Sequence, residues 1–431
     1  MDLWHQLIEK GLKALPLDGP NPFPSIWTIA GLLAVPYIAY CIGVAIYRLT
    51  LHPLAQFPGP FLCRVGYIQQ CYYEAILNGR FLERLSESHR KYVRIGPNEG
   101  HINDPLVYHE IYKSNSQFAK DPTSYALGMS EAMAFAIPVE KHRQKRKILD
   151  PNFSKHRVGL MKDGLYEELE LVFDRISQYE KRGEEVPIME LHICYMGDII
   201  SRYLFSQSLR LVSSDNFIQR SFTKGIWFAV HCQFVRNALL GLPRWMMAYE
   251  KDRNARPLSF RELADESTGI LNAGTEPTAT MLSYATYFWL KFPHVQKPIL
   301  DELAEGQLQN GRLPLRKVEN LPYFTGFIKE SLGYMPLVPG RLPRTGLYVP
   351  SVQKTIPEGS VVGLSHLAIH FDPEIFDQPE EFRPERWIGE QGKERNPWLL
   401  SFSKERTDWI GKMLAFARRD YCQLARHRGD R

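Results

Sequence analysis

LLSFSKERTDWIGKMLAFA, Leu399 to Ala417, is the stretch on which the reading of this chain turns. It has the outline of a cofactor-binding loop running into a helix, yet no cysteine or histidine stands in it to hold a metal. Two readings are open: a binding loop without its ligand, or an ordinary surface turn. The rest of the chain decides between them.

Upstream the sequence is mostly helical. GLYEELELVFDRISQYEKRG (Gly164 to Gly183) repeats apolar residues at three and four with charges between, the period of an amphipathic helix. FRELADESTGILNAGTEPTATMLSYATYFWLKFP (Phe260 to Pro293) is apolar on most faces after Gly269, which predicts a central helix ending before Pro293. Strand-like runs are few: KYVRIGPNEGHIN, RTGLYVP and GSVVGLS. The expected fold is therefore mainly α with a minor β-sheet.

A large core is within reach of 431 residues of which 44% are hydrophobic. The net charge of +5 is mild, and its densest cluster, KHRQKRK at Lys141 to Lys147, is short, so no nucleic-acid partner is expected. Six cysteines without framework spacing or a CxxC predict reduced thiols rather than a disulfide scaffold.

Near the N-terminus, PSIWTIAGLLAVPYIAYCIGVAIY (Pro24 to Tyr47) carries no charged residue. About 20 apolar residues suffice to cross a bilayer core. A single transmembrane anchor is expected over 24–47, with Pro36 kinking it. HPLAQFPGPF (52–61) then reads as a stiff, non-helical connector. The organisation expected is a lumenal segment at 1–23, the anchor, a proline-rich hinge at 48–61, and one globular body at 62–431.

Four local features could carry chemistry. In NAGTEPTAT, Ala273 and Gly274 let a flat ligand approach the helix backbone, and Thr275, Glu276 and Thr278 bring polar groups to that gap. Pro277 would open the helix there, and a plain packing kink is the bland alternative. Glu330 lies on a helix with an apolar face in LPYFTGFIKESLGY. EEFRPERWI offers Arg383 and Arg386, either able to bridge a carboxylate. His142 and Arg146 are four apart in EKHRQKRKILDPNFS, so they share a helical face and could grip one anionic group; a plain basic face is the alternative.

Taken in order, these pieces resemble a cytochrome P-450 of the membrane-anchored microsomal type found in fungal secondary metabolism. The resemblance runs through the anchor, HPLAQFPGP, KYVRIGPNEGHIN, HRQKRKILDPNFS, AGTEPT, KESLG, VPGRLPR, EFRPERW and FSKERTDWIGKMLA, nearly the whole chain. It implies a haem whose cysteine thiolate favours O–O cleavage, and insertion of one oxygen atom from O₂ into an apolar small molecule. It also implies electrons from an NADPH-dependent membrane reductase, and an endoplasmic reticulum location with the body facing the cytosol. On the same resemblance His142 and Arg146 would hold a haem propionate, with Arg344 as a second contact. Glu276 would match the acid of the oxygen-activating helix, with Thr278 or Thr275 standing in for the threonine that Pro277 displaces.

The departures are specific. The family's Glu-x-x-Arg pair is Glu330 followed by Gly333, so a triad with Arg386 lacks its middle member. The haem-loop pattern Phe-x-x-Gly-x-Arg-x-Cys-x-Gly keeps Phe402 and Gly411, but Glu405, Thr407 and Trp409 replace the glycine, arginine and cysteine. An indole N–H only donates, so Trp409 cannot be an axial ligand. Too few residues precede the long helix for the elements the family places there. The chain also ends in RRDYCQLARHRGDR before the closing strands the family implies. The expected protein is a monooxygenase by family but impaired or inactive. A membrane-tethered, non-catalytic ligand-binding protein is the alternative, and a cofactor-free scaffold a third.

Overall fold

The computed structural model describes residues 26–77, 79–81, 92–112, 118–122, 124–125, 131–149, 153–154, 156, 162–214, 260–305, 320–335, 343–345, 356–357 and 359–401. Its helices are α1 (Ile26–Thr50), α2 (Phe61–Val65), α3 (Ile68–Cys71, continued by a π turn Tyr72–Ile76), α4 (Pro105–Tyr112), α5 (Val139–Leu149) and α6 (Lys162–Arg182). They continue with α7 (Ile188–Phe205), α8 (Phe260–Lys291), α9 (Pro293–Glu305), α10 (Pro322–Tyr334), α11 (His366–His370) and α12 (Gly389–Arg395). Five short strands, β1 (Tyr92–Gly96), β2 (Glu99–Ile102), β3 (Ala119–Lys120), β4 (Arg344–Thr345) and β5 (Val361–Gly363), form one sheet ordered β1-β2-β5-β4-β3. Pairing is antiparallel except between β2 and β5. The mainly helical class with a minor sheet is as the sequence predicts.

α8 stops at Lys291 and α9 starts at Pro293, because proline has no N–H to continue a helix but suits a first turn. α1 continues through Pro36 and α8 through Pro277, so neither residue ends its helix. At each, one carbonyl a turn earlier loses its donor, a local cost that the surrounding turns sustain.

The main core lies where α7, α8, α9 and α10 meet. Cys194, Ile199, Leu282, Phe288, Phe327 and Leu332 are buried in it. α7 buries every residue from Leu191 to Ser201, which is why its sequence shows no amphipathic stripe. A second cluster joins the connector after α1, through Leu54 and Phe57, to β1, β2 and α4. The segment at 52–57 is therefore folded onto the body rather than standing off from it. Cys41, Cys63, Cys71 and Cys194 are free thiols. α1 holds one span, Ala30–Thr50, long and apolar enough to cross a membrane, and none of its apolar window is buried.

Candidate functional site

Around the middle of α8, small residues let helices approach closely. A Cβ at Gly274 would lie 2.6 Å from Ile200 Cδ1, so glycine lets the Ile200 side chain of α7 pack directly on this turn. Thr275 lies on this side too, its methyl 4.0 Å from where a Cβ at Gly197 would be. Thr278, four residues after Gly274, shares that face and is fully buried. Glu276, two residues from each, turns to the opposite side, where Ala273 and Thr280 are also half-buried. The structure thus separates Glu276 from Thr278 rather than bringing them together.

Burial holds the Glu276 carboxyl above the usual carboxylate range. Asn272 Oδ1, Thr275 Oγ1 and Thr278 Oγ1 are buried without hydrogen-bond partners. Such atoms are costly, and they mark this turn of α8 as unfinished within the protein itself.

Basic groups flank this helix. In α5, His142 is buried and Arg146 half-buried one turn on. The neighbouring face ties α5 down: Lys145 Nζ is 3.4 Å from Glu266 Oε2 of α8, and Lys141 Nζ is 3.0 Å from Glu131. Met133 N–H donates to Glu266 at 2.9 Å. Lys141, Arg143 and Lys145 of the basic cluster are thus each answered by an acid. Sequence reasoning misses these acid partners: Glu266 stands 121 positions from Lys145 along the chain and meets it only through folding.

Arg344 in β4 is buried, and its Nη1 donates to Tyr125 Oη at 2.8 Å and to the Pro343 carbonyl at 3.0 Å. Its guanidinium lies 5.1 Å from the Tyr112 ring centre. Among the described residues no carboxylate pairs with it. A buried cation answered by phenols and ring faces is under-compensated, and it suits an anionic group.

A buried polar network joins α10 to the turn at Pro384–Trp387. Glu330 Oε1 accepts from the Arg383 N–H at 2.8 Å and lies 3.2 Å from Arg386 Nε; Oε2 accepts from Trp387 Nε1 at 2.6 Å. Arg386 directs its fork at the carbonyls of Asp377, Gln378 and Glu381, at 2.6, 3.0 and 2.7 Å. Burial therefore outruns charge compensation, and Glu330 is pushed up to about 7 despite the adjacent guanidinium. Glycine at 326 makes the contact possible, since a Cβ there would sit 2.5 Å from the Pro384 carbonyl oxygen. The Glu330–Arg386 pair is expected from sequence. Trp387 and the Arg383 backbone are not, although both stand in the same EFRPERW run.

Gly333 leaves a gap beside this network. A Cβ there would meet nothing within 4 Å, and a cavity of about 10 Å³ is lined by Glu330, Gly333, Tyr334, His370, Arg386 and aromatic rings. That is roughly room for one water. Gly333→Ala is expected to raise the unfolding free energy by about 1 kcal/mol, the helix-propensity gain, because the methyl enters open space. Urea unfolding of both proteins checks this. A loss would mean that the methyl displaces something the network uses.

Phe402, Gly411, Trp409, Glu405 and Thr407 lie outside the described residues, as does LPRWMMAYEK before the long helix. The structure brings Glu330 and Arg386 together, and it sets His142 and Arg146 on α5 and Arg344 on β4.

Comparison with known proteins bears on this arrangement. Residues 244–417 match the family model for Cytochrome P450. The chain is 29% identical to Cytochrome P450 monooxygenase aneF of Aspergillus aculeatus, over 90% of each chain. It is 28% identical to Cytochrome P450 monooxygenase BOT1 of Botryotinia fuckeliana, covering 91% of this chain and 88% of that one. Cytochrome P450 monooxygenase ankB of Aspergillus thermomutatus is 27% identical over 90% of this chain and 84% of its own.

Proposed function

We propose that this chain is a membrane-anchored cytochrome P450 of fungal secondary metabolism impaired in the family reaction, a reading supported by the family-model match and by the fungal P450 monooxygenases among its relatives. The observation that carries the proposal is Trp409 at the position of the haem thiolate, with Glu405 and Thr407 altered beside it. When bound through a thiolate, the haem supplies O–O bond cleavage.

The fit of this chain to that group divides in two. Arg344, buried without a carboxylate among the described residues, suits a propionate, and His142 and Arg146 supply basic groups on α5. Iron has no thiolate at position 409, because an indole offers a donor only.

What the chain's own residues can do is narrower. Glu276, held above the usual carboxylate range by burial, keeps a proton more readily than an exposed acid. Pro277 denies the helix a hydroxyl directly after it, and Thr278 faces the other way. The half-open side of α8 around Ala273 suits an apolar small molecule of the terpenoid, polyketide or alkaloid-like kind. The proposed setting is the endoplasmic reticulum membrane, with residues 1–23 lumenal, 24–47 spanning, 48–61 as hinge and 62–431 as a cytosolic body served by an NADPH-dependent reductase.

The test is the reduced, CO-bound absorption spectrum of the purified chain. No thiolate-type Soret band is expected, and Trp409→Cys alone is expected not to restore one, since Glu405, Thr407 and Gly333 remain. A thiolate-type band from the unaltered chain would overturn the proposal. The alternative reading, a non-catalytic binder, draws on the unpartnered Asn272, Thr275 and Thr278 atoms on α8. Saturable binding of an apolar metabolite without haem would favour it.

A further inference from the structure

One hydroxyl stands between two buried carboxyl groups where α6 meets α7. Glu168 of α6 and Asp198 of α7 are 4% and 0% exposed. Ser208, in the loop that leaves α7, is hydrogen-bonded through its side chain to both. Its Oγ also accepts from the Arg210 N–H at 3.1 Å. A serine hydroxyl has one hydrogen and two lone pairs. It can therefore donate to one carboxylate only, and the other hydrogen bond needs a proton of the acid's own.

The donors around each group decide which acid keeps that proton. Asp198 accepts from the Leu211 and Val212 N–H groups at 2.8 and 2.9 Å, and such donors favour the charged form. Glu168 is less well provided. Its Oε2 is buried without a partner, and Arg202 reaches Oε1 only at 3.5 Å while lying 2.6 Å from the more exposed Glu167. A partnerless buried oxygen costs less on a neutral carboxyl than on a carboxylate. Burial, and then the charge of Asp198, raise Glu168 above the usual carboxylate range against the pull of Ser208 and Arg202. The other titratable groups near the pair are Cys194 of α7, whose thiol is pushed up by burial and by Asp198, and Arg175 of α6, which donates to the Ser214 carbonyl at 2.7 Å.

The loop at 206–212 depends on this meeting point. It folds back on α7, where the Leu209 N–H donates to Ser201 Oγ at 3.1 Å and Val212 is buried. Ser206 and Arg210 each have a φ of 56°, in the left-handed region that strains residues other than glycine. Such conformations persist where surrounding contacts hold them.

We propose that Glu168 and Asp198 hold one proton between them, Glu168 as the neutral acid donating to Ser208 Oγ and Asp198 as the carboxylate accepting from it, and that these bonds tie residues 206–212 to α6 and α7 as a pH-sensitive clasp. As pH rises, Glu168 gives its proton to solvent. Two carboxylates then face one hydroxyl hydrogen, and their repulsion loosens the loop. The clasp is complete below the ordinary carboxyl value of 4.5 and is lost as pH rises through the higher folded value, because the unfolded chain binds fewer protons in between.

The experiment uses the full chain in nanodiscs. Infrared difference spectra are taken at a pH above the ordinary carboxyl range. Glu168→Gln is expected to remove one protonated-carboxyl C=O band, and Glu167→Gln to remove none. Hydrogen exchange of residues 206–212, corrected for the intrinsic pH dependence of exchange, is expected to speed several-fold as pH rises in the native protein. In Glu168→Gln it is expected to stay slow, because the amide donates to Ser208 Oγ as the neutral acid does and does not titrate. Ser208→Ala covers the case in which Glu168→Gln does not fold: its loop is expected to exchange fast at every pH. An unchanged carboxyl band in Glu168→Gln, a pH-independent loop in the native protein, or slow exchange persisting in Ser208→Ala would each overturn the proposal.

Discussion

Glu330→Ala is expected to lower the unfolding free energy by about 3–5 kcal/mol, the cost of removing one partner from a buried charged pair. The change leaves the Arg386 guanidinium without a carboxylate and strands the Arg383 and Trp387 N–H donors. It also removes the buried polar tie between the Pro384–Trp387 turn and α10, leaving the exposed Tyr323–Glu385 hydrogen bond at 2.8 Å. Chemical denaturation of the two proteins measures the difference.

The same carboxylate predicts a pH dependence with a definite sign. Burial raises Glu330 from an ordinary 4.5 to about 7 in the folded protein. Between those values the unfolded chain has lost the proton that the folded chain keeps, so stability falls as pH rises. The contribution is fully present below about 4.5 and is lost as pH passes about 7. A shift of this size is worth roughly 3 kcal/mol across that window. Comparison with Glu330→Gln, which does not titrate, isolates it. The native protein is expected to lose stability relative to the variant from about pH 4.5 to about pH 7.5. A relative gain would mean that Arg386 outweighs burial.

Arg94→Met is the second large effect, an expected loss of about 2–4 kcal/mol. Methionine keeps much of the stem's packing but none of the donors. Carbonyls of Arg48, Leu54, Gly96 and Pro97 would each lose a charge-assisted hydrogen bond. Arg48 stands in the last turn of α1 and Leu54 in the segment leaving it, a segment also held by the Arg94 N–H donating to the Pro58 carbonyl at 2.7 Å. Glycine at 59 fits this tight approach, since a Cβ would sit against the Arg94 carbonyl oxygen. Limited proteolysis under native conditions is expected to cut between residues 48 and 60 many-fold faster in the variant. Unchanged cutting with lowered stability would confine Arg94 to a packing role.

Much of the framework is legible in the sequence because it rests on local rules. The period of Gly164 to Gly183 becomes α6, the proline at 293 ends α8, and the strand-like run around Pro97 and Asn98 is the β1–β2 pair. α7 is not legible, because a helix buried on every side has no polar face to set its period. β3 escapes for another reason: two residues carry no pattern, and they are a strand only because β4 comes alongside.

The site divides along the same line. Which residue types stand at 276, 277, 330, 333, 386 and 409, and so which chemistry each can offer, follows from sequence alone. Tertiary structure alone decided that Thr278 is fully buried while Glu276 is half-buried, and that Glu330 is shared by Arg386, Trp387 and a backbone N–H. It alone gave Arg344 phenols in place of a carboxylate, and folded the proline-rich connector onto the body under Arg94. The reason is physical. Identity and helical phase are properties of neighbours along the chain, whereas burial, charge compensation and the direction of a pKa shift depend on groups that only folding brings within a few ångströms.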